Sequence, residues 1–400
     1  MTDADPEKFQ LGVNYWPAEA AVGWLRAYDP AVTRRDFRRA ASAGFDNIRV
    51  FLRWEDAQPT ASTIDTATLG RLVDVADAAV EAGVTLVVTL FVGHMSGVNW
   101  IPRWATGGTD GDRRFRVVSN DRARSAAGIR NWYTEPAIVA AQERLAAAAA
   151  TALAGHPGVW AWDLGNENSN CTIPPDRTAG EAWLERISTA IRKRDPGTPL
   201  TIGIHMEDLQ EDRRIGPAEA ARWCELVSMH GYPIYADWSA GPTDDKLLPF
   251  LAEITRWLAG GAPILFEEFG LPTTHLTPLK SPLLVSEAEA AAYTGRAIDG
   301  LRQAGCIGAF LWCFTDYSPK LDAFPPFDLA AHERSFGLWC ADGNPKPALK
   351  EVTARSGGRR VPPRTPNGWL DIDQATYSND RRFHLARLYG RFRHLATIDR

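Results

Sequence analysis

Short apolar runs alternate with longer segments of helical periodicity over most of this chain. The run 84–92 is nearly continuous in Val, Leu and Thr, which is typical of a strand buried on both faces of a parallel sheet. Eight such runs are predicted as strands: 11–15, 45–51, 84–92, 159–164, 200–205, 226–230, 263–266 and 307–312. Helical spacing is found at 30–43, 65–82, 135–154, 178–194, 244–259, 287–304 and 345–355. The alternation predicts consecutive βαβ units and an α/β protein with a parallel sheet.

Two parallel architectures compete, an open doubly wound sheet and a closed eight-stranded barrel. The open sheet usually carries a glycine-rich phosphate-binding turn after its first strand, and the segment NYWPAEAAVGW at 14–24 lacks that pattern. A barrel instead places its chemistry on the loops that follow the strands. The unusual residues of this chain lie at or just past strand ends: Asn14, Tyr15, Arg49, His94, Asn166, Glu167, His205, His230, Tyr232, Glu268 and Trp312. We therefore predict a (β/α)8 TIM barrel.

Long segments without clear periodicity follow the third and eighth predicted strands, at 92–134 and 313–344. Loops of this length are uncommon in a compact domain unless they are functional or disordered, and their aromatic content argues against disorder. After residue 355 the composition changes to a linker-like stretch, SGGRRVPPRTPNG, and then to apolar residues at helical spacing. The predicted organisation is a barrel at 1–355, followed at 356–400 by a linker and a C-terminal helical extension packed on the barrel.

The composition is that of an ordinary globular protein, with 45% hydrophobic and 23% charged residues and a formal net charge of −5. This acidic balance argues against nucleic acid as the main partner. No apolar run is long enough to span a membrane, and the polar N-terminus MTDADPEKFQ has no secretion-signal pattern. Five widely spaced cysteines without a CxxC pair favour neither a disulfide framework nor a zinc knuckle: Cys171, Cys224, Cys306, Cys313 and Cys340. We therefore expect a cytoplasmic protein.

Two predicted strands run directly into glutamates. The fourth continues as WAWDLGNEN into Glu167, and the seventh continues as PILFEEFG into Glu267 and Glu268. Glu167 and Glu268 are 101 positions apart, yet both follow strands whose ends would meet at one barrel mouth. Hydrolysis of a glycosidic bond needs two carboxyl groups across it, and mutual repulsion lets one hold a proton while the other is ionised. The pair predicts glycosidase chemistry, and strand alternation predicts that Glu267 points away from Glu268.

Seven motifs at or near strand ends carry a family resemblance: GVNYWP, NIRVFLRWEDAQP, GHMSG, GNEN, HGY, EEFG and LWCFTDY. Over about residues 10–355 they resemble glycoside hydrolase family 5, which belongs to the clan of retaining glycosidases on (β/α)8 barrels. The GHMSG motif in a single-domain layout is most similar to the bacterial β-mannosidases and mannanases of that family.

The resemblance implies a role for each matching residue. Glu167 would be the general acid/base, and Glu268, which immediately precedes Phe-Gly, would be the nucleophile. Asn166 would bind the sugar 2-hydroxyl, while Arg49 and Tyr232 would contact Glu268. Further candidate substrate contacts are His94, His205, His230, Trp100 and, as a platform under the sugar ring, Trp312. Neither a metal ion nor a cofactor is expected.

The predicted activity is that of an exo-acting β-mannosidase, which releases mannose from short β-linked manno-oligosaccharides by double displacement. The expected cytoplasmic location favours short substrates, and the long aromatic loops favour a closed pocket over an open cleft. An endo-β-1,4-mannanase or β-glucanase of the same family is the nearest alternative. A metal-dependent sugar isomerase that uses His94, His205, His230 and a glutamate is a remoter one. A sugar-binding barrel without catalysis is the third.

Overall fold

Eight parallel strands form the centre of the fold. The computed structural model describes residues 7–108, 114–123, 128–274, 283–366 and 368–398. The strands are β1 (Gln10–Asn14), β2 (Asn47–Arg53), β3 (Thr85–Val92), β4 (Val159–Asn166), β5 (Leu200–Gly203), β6 (Val227–His230), β7 (Ile264–Phe269) and β8 (Gly308–Leu311). They lie in the order β5-β4-β3-β2-β1-β8-β7-β6, and each overlaps a strand predicted from the sequence.

Contacts between β5 and β6 close the sheet into a barrel. The backbone N–H of His230 donates to the carbonyl of Ile204 over 2.8 Å, and that of Leu226 donates to the carbonyl of Leu200 over 3.1 Å. His205 and His230 form a parallel bridge at the ends of these two strands. The prediction of a (β/α)8 barrel is therefore confirmed, and the carboxyl ends of all eight strands surround one mouth.

Helices cover the outside of the barrel and return the chain between strands. They are α1 (Pro30–Ser42), α2 (Trp54–Ala57), α3 (Thr66–Ala82), α4 (Pro136–Ala152), α5 (Arg177–Arg192), α6 (Met206–Gln210), α7 (Pro217–Trp223), α8 (Leu247–Leu258), α9 (Glu287–Gln303), α10 (Ala348–Thr353), α11 (Gln374–Asn379) and α12 (Arg381–Ile398). The Asp29 carboxylate caps α1 by accepting from the Ala31 N–H at 2.9 Å, and Gly83 ends α3 with φ +77°. Within the described ranges, no helix combines the length and the apolar character that crossing a membrane requires.

The lower part of the barrel interior is filled by apolar side chains. Its members belong to different strands or the turns before them and are buried together: Val87, Ala161, Leu265, Ile307 and Phe310. The Phe310 ring lies over Gly12, where an added Cβ atom would stand 2.2 Å from the ring. Glycine at this position is therefore what lets β1 and β8 pack side by side around the ring. Above this layer the interior becomes polar, towards the mouth.

The two long loops meet beside the mouth. Loop 3 (residues 93–135, in its described parts) contains a small sheet with strands at His94–Met95, Val98–Trp100, Arg116–Ser119 and Arg122–Ala123. Loop 8 (residues 312–347) contains 3₁₀ turns at Pro319–Leu321 and Ala331–Ser335. The Arg116 guanidinium of loop 3 makes a two-pronged ion pair with the Asp328 carboxylate of loop 8, one prong at 2.7 Å. This ion pair joins the loops into one wall.

The C-terminal helices pack against the loops that follow β5 and β6. The Tyr377 hydroxyl of α11 donates to the carbonyl of Leu209 in α6 over 2.7 Å. The Tyr389 hydroxyl of α12 donates to the Asp244 carboxylate just before α8. Both tyrosines belong to the same apolar core as the barrel. Residues 374–398 thus brace the side of the mouth that β5 and β6 form.

Substitution of Gly12 by alanine tests the packing of the barrel interior. We expect Gly12→Ala to lower the free energy of unfolding by about 1–3 kcal/mol, because the new Cβ overlaps the Phe310 ring. The matched control is Gly70→Ala in α3, where an added Cβ meets nothing within 4 Å. This substitution is expected to raise the free energy of unfolding by about 0.5–1 kcal/mol. Urea unfolding of both variants measures the difference. Equal stability of the two variants would contradict the described packing.

Candidate active site

Glu167 lies immediately after β4 and begins the 3₁₀ turn Asn168–Asn170. Its backbone is in the left-handed region, with φ +48° and ψ 44°, a conformation that costs a non-glycine residue roughly 1–2 kcal/mol. One carboxylate oxygen lies 3.0 Å from Nδ1 of His230, and the other accepts from the Asn170 side-chain amide over 3.0 Å. The local turn and these two partners fix the carboxyl group at the mouth.

Glu268 lies within β7 and is held by two donors. One oxygen accepts from the Arg49 guanidinium, and the other accepts from the Tyr232 hydroxyl over 2.9 Å. Nδ1 of His230 is 3.6 Å from the same carboxylate. Because both oxygens accept hydrogen bonds from groups on other strands or loops, the carboxylate has one well-defined orientation.

The two carboxyl groups share one cavity. An oxygen of Glu167, an oxygen of Glu268 and a ring nitrogen of His230 all lie within 4.8 Å of one another. The cavity has a volume of about 360 Å³. Its lining includes six of the residues predicted from strand ends besides the two glutamates: His94, Asn166, His205, His230, Tyr232 and Trp312. The convergence expected from the sequence is therefore present.

Arg49 lies below this cavity, fully buried in the barrel interior. Besides Glu268 it donates to the Asp163 carboxylate over 2.6 Å and to the Asn166 side-chain oxygen over 2.9 Å. Burial lowers the pKa of Arg49, but the carboxylates of Glu267, Asp163 and Glu268 outweigh this effect and raise it. Arg49 is thus a permanent buried cation that contacts Glu268, as expected. It lies beneath the cavity and touches the lining residues Glu268 and Asn166 from below.

Glu267 does not point out of the barrel as strand alternation predicts. Its carboxylate is fully buried in the interior, 3.4 Å from Nε of Arg49 and 3.5 Å from Nε2 of His230. The reason is an irregularity in β7, whose pairing shifts register against β6 beside His230 and against β8 after Phe266. Such a bulge aims two consecutive side chains to the same side of a sheet. The sequence expectation for Glu267 is corrected accordingly.

The charges of this cluster set where its proton lies. Burial lowers the pKa of His230, but the charge of Glu268 and hydrogen bonds to Glu167 and Glu267 raise it to about 10. Burial raises the pKa of Glu167, yet the electrostatic effect of His205 and the hydrogen bond from His230 hold it below its usual value. Burial and the repulsion of Glu167 raise the pKa of Glu268, against His230 and Arg49. At neutral pH His230 is therefore an imidazolium, and the Glu167 carboxyl group beside it is ionised.

The remaining predicted contacts differ in their placement. Nδ1 of His94 lies 2.8 Å from the Asn99 side-chain oxygen, and its Nε2 lies 3.8 Å from Glu167. Nε2 of His205 lies 3.0 Å from the Ser169 hydroxyl, while its Nδ1 accepts from the backbone N–H of Glu207. Both histidines line the cavity with Asn166 and Trp312.

Trp100 is the predicted contact that the structure does not bring to the cavity. It is absent from the described residues that line the cavity, and its indole is buried in loop 3 with the Arg53 guanidinium 5.5 Å above the ring. The expectation rested on the aromatic content of loop 3, but the small sheet in this loop turns Trp100 inward as packing. The expectation for Trp100 is corrected for that reason.

Several lining residues were not predicted. Phe115 packs edge-on against the His94 ring at 4.4 Å, and Tyr235 shares its hydroxyl with His332 and Glu333 at 2.8 Å each. Phe336 completes this part of the wall. They lie on loop 3, on loop 8 or just after β6, where no periodicity in the sequence marks which residue faces inward. The general expectation that the aromatic loops wall the mouth was the only available signal.

The side chains of the site also include atoms of the kind that bind metal ions. Among the described residues, the group of Glu167, His230 and Glu268 has ligand atoms close enough to share a cation. However, Arg49 and Tyr232 already donate to Glu268, and His205 is bonded to Ser169 and the Glu207 backbone. The three histidines and glutamate that a sugar isomerase would use do not converge as one ligand set.

Replacement of His230 tests the electrostatic description. A histidine whose pKa is raised from 6.5 to about 10 on folding stabilises the protein fully below pH 6.5, and this stabilisation is lost as the pH rises through 10. We therefore expect the stability difference between wild type and His230→Gln to be largest at pH 6 and to shrink towards pH 10. Urea unfolding at pH 6, 8 and 10 measures it. A difference that is constant or grows with pH would contradict the assignment.

The chain matches known glycosidases in sequence. The family model Cellulase (glycosyl hydrolase family 5) matches residues 3–318. A protein of Oryza sativa subsp. japonica, provisionally named mannan endo-1,4-beta-mannosidase 5, is 24% identical over 328 residues, which are 72% of this chain and 64% of that protein. The chain thus spans less than two thirds of this curated relative.

Solved structures share the barrel. A GH5_18 protein of Streptomyces cattleya, solved in complex with GlcNAc, has a TM-score of 0.81 at 23% identity. The match covers 98% of this chain and 92% of that protein. The exo-beta-1,4-mannosidase Op5Man5 from Opitutaceae bacterium strain TAV5 has a TM-score of 0.72 at 26% identity, over 87% of this chain and 59% of that chain. A GH5_18 variant from the Streptomyces species was solved with Manb1-4GlcNAc. Since the family model spans most of the chain, the protein belongs to glycosyl hydrolase family 5.

Proposed function

We propose that the protein is a retaining, exo-acting β-mannosidase with Glu268 as nucleophile and Glu167 as general acid/base. The observation that carries this proposal is the position of the two carboxyl groups, whose nearest oxygens lie within 4.8 Å across one cavity. Carboxyl groups about 5–5.5 Å apart are typical of retention, whereas inversion needs roughly 6.5–9.5 Å to admit a water molecule between them.

In the first step the Glu268 carboxylate attacks the anomeric carbon, and the bond from that carbon to the leaving oxygen breaks. His230 passes a proton to Glu167 across their hydrogen bond, and Glu167 delivers it to the leaving oxygen. Arg49 and Tyr232 keep Glu268 oriented and ionised until it bonds to the sugar. Trp312 lies in the cavity wall, where it offers an aromatic face to the apolar side of a pyranose. The product is a glycosyl ester on Glu268 and a free aglycone.

In the second step a water molecule enters where the aglycone left. Glu167, ionised again and beside a neutral His230, removes a proton from this water as the oxygen attacks the anomeric carbon, and the bond to Glu268 breaks. The proton returns to the pair of Glu167 and His230, whose 3.0 Å separation suits proton exchange. Two inversions at the same carbon give net retention of configuration.

The wall of the cavity supports exo action. Loop 3 and loop 8 are joined by the ion pair of Arg116 and Asp328, and Phe115 fills the space beside His94. A wall of this kind limits how many sugar units extend past the reacting one, whereas an endo-acting enzyme needs a cleft open at both ends. The exo-beta-1,4-mannosidase among the structural neighbours points the same way. The endo-mannanase alternative is supported by the name of the Oryza relative.

The substrate class we propose is a short β-mannoside. Two of the structural neighbours are an exo-beta-1,4-mannosidase and a GH5_18 protein solved with the disaccharide Manb1-4GlcNAc. Both mannobiose and this disaccharide present a terminal β-linked mannose to the two carboxyl groups, and they differ only in the sugar that leaves. The cytoplasmic location and the division into a barrel at 1–355 and an extension at 356–400 stay predictions.

A panel of aryl glycosides tests the activity and the two roles. We expect p-nitrophenyl β-mannoside to be cleaved in preference to the β-glucoside and β-galactoside, and turnover to persist in a metal chelator. Glu268→Gln should lower kcat/KM by at least about 10⁴-fold and Glu167→Gln by roughly 10²–10⁴-fold on substrates that need acid assistance. Glu185→Gln, an exposed change on α5, serves as the control.

Preference for another sugar would overturn the mannoside assignment while leaving the mechanism intact. Full turnover by Glu268→Gln would overturn the nucleophile. The first products from mannohexaose separate the two modes, since an exo enzyme gives mannose and mannopentaose, whereas an endo enzyme gives two fragments of at least two units each. Proton NMR of the newly formed sugar decides between retention and inversion.

The ion pair between the loops gives a separate test of the closed wall. We expect Arg116→Ala to raise KM for mannobiose by roughly 3- to 10-fold with little change in kcat, because the wall loosens while the carboxyl groups stay in place. Asp328→Ala should have the same effect, and the double variant should add little. Arg186→Ala, which breaks an exposed pair with Glu143 outside the barrel, is the matched control. An unchanged KM in both loop variants would contradict the role of the wall.

A further inference from the structure

Asn170 links the carboxyl group of Glu167 to the segment that follows α6. Its side-chain amide N–H donates to Glu167 over 3.0 Å, and its side-chain oxygen accepts from the Arg213 guanidinium over 2.8 Å. Its backbone carbonyl accepts from the Asn99 side chain of loop 3 over 2.9 Å. Asn170 is 3% exposed, so these contacts replace water at its polar groups.

Arg213 decides which way the Asn170 amide faces. An arginine side chain only donates hydrogen bonds, so the Asn170 oxygen must face Arg213 and its NH₂ group must face Glu167. The reverse orientation would set an oxygen against a carboxylate and an NH₂ group against a guanidinium. The contact thus makes Asn170 a donor to Glu167 in a single direction, and the charge on Arg213 polarises the amide further.

Arg213 is itself locked in place. It is 1% exposed, and its guanidinium pairs with Glu211 at 3.0 Å and with Glu207 at 2.7 Å. Another nitrogen lies 3.3 Å from the Ser169 hydroxyl. Two carboxylates neutralise its charge, and the remaining donors are directed at the turn after Glu167. Among the described residues that line the cavity, Glu207 and Asn170 are present and Arg213 is not.

The turn at Glu167 needs such a support. Glu167 has left-handed backbone angles, and a non-glycine residue stays there only where its surroundings fix it. The 3₁₀ turn Asn168–Asn170 is held from one side by Asn99 and from the other by Arg213. Without these contacts the Glu167 carboxyl group loses the partner that keeps one of its oxygens in place.

We propose that Asn170 and Arg213 form a relay of positioning residues that orients Glu167 for proton transfer to the leaving oxygen. This inference rests on the proposed role of Glu167 as general acid/base. A leaving group that departs without a proton does not need the relay, and one that needs a proton does. The relay therefore predicts a dependence on the leaving group, which a merely structural role of the two residues does not produce.

The test compares two substrates in five proteins. The substrates are 2,4-dinitrophenyl β-mannoside, whose leaving group needs no proton, and a β-mannosyl disaccharide, whose leaving hydroxyl does. The proteins are wild type, Asn170→Ala, Arg213→Met, Glu167→Gln and the control Arg214→Met, a half-buried neighbour paired with Asp212. The quantity measured is kcat/KM, because it reports the first step of the reaction.

We expect Asn170→Ala and Arg213→Met to lose on the order of 10- to 100-fold in kcat/KM on the disaccharide, as for a misplaced catalytic group. On the dinitrophenyl substrate, kcat/KM of both variants should stay within about threefold of the wild-type value, because this leaving group departs without acid assistance. Arg214→Met should match wild type on both substrates. Equal losses on the two substrates, or no loss on either, would overturn the relay.

Glu167→Gln separates this proposal from the one on which it rests. If Glu167→Gln does not lose activity selectively on the disaccharide, the acid role of Glu167 fails, whatever the relay variants do. If Glu167→Gln shows the selective loss and the relay variants do not, only the relay fails. Asn170→Ala removes no buried charge, so it decides the question even if Arg213→Met, which leaves Glu207 and Glu211 with one cation fewer, does not fold.

Discussion

One buried guanidinium group makes the rest of the site possible. The interior of the barrel holds the carboxylates of Asp163, Glu267 and Glu268 around Arg49, all of them nearly or completely shielded from water. Removing an ion from water costs several kcal/mol unless an opposite charge and hydrogen bonds compensate it. Three carboxylates in this space without a cation would take up protons, and Glu268 would lose the charge that its proposed role as nucleophile requires. Arg49 is therefore a requirement for the chemistry as much as for the fold.

His230 adds a second positive charge above Arg49, closer to the mouth of the barrel. Its ring lies 3.0 Å from Glu167, 3.5 Å from Glu267 and 3.6 Å from Glu268, so it bridges the buried cluster and the mouth. The register shift in β7 matters here, because it turns Glu267 inward to contact the ring from below. With Arg49 below and His230 above, the cluster can hold one mobile proton beside Glu167 while Glu268 remains a carboxylate. The different roles that we propose for these two chemically identical side chains rest on their neighbours.

Much of this arrangement could be predicted from local patterns in the sequence. Glu167, Glu268 and His230 each lie at or just past the end of a predicted strand, and the ends of parallel strands meet at one mouth whatever the loops do. Trp100 and Glu267 depend on features without a periodic signal, a small sheet in loop 3 and a register shift in β7. The contact of Asn170 with Arg213 joins segments 43 positions apart through loops whose course only packing decides. The sequence thus determined the carboxyl pair, whereas the support around it required coordinates.

The proposed mechanism requires a covalent bond between Glu268 and the sugar, and this bond can be trapped. In 2-deoxy-2-fluoro-β-mannosyl fluoride the fluorine at C2 slows both steps, while the fluoride leaving group keeps the first step the faster of the two. A glycosyl-enzyme should therefore accumulate, and mass spectrometry of a digest should find the added mass on Glu268. An adduct on Glu267 or Glu167, or turnover without any covalent species, would contradict the account.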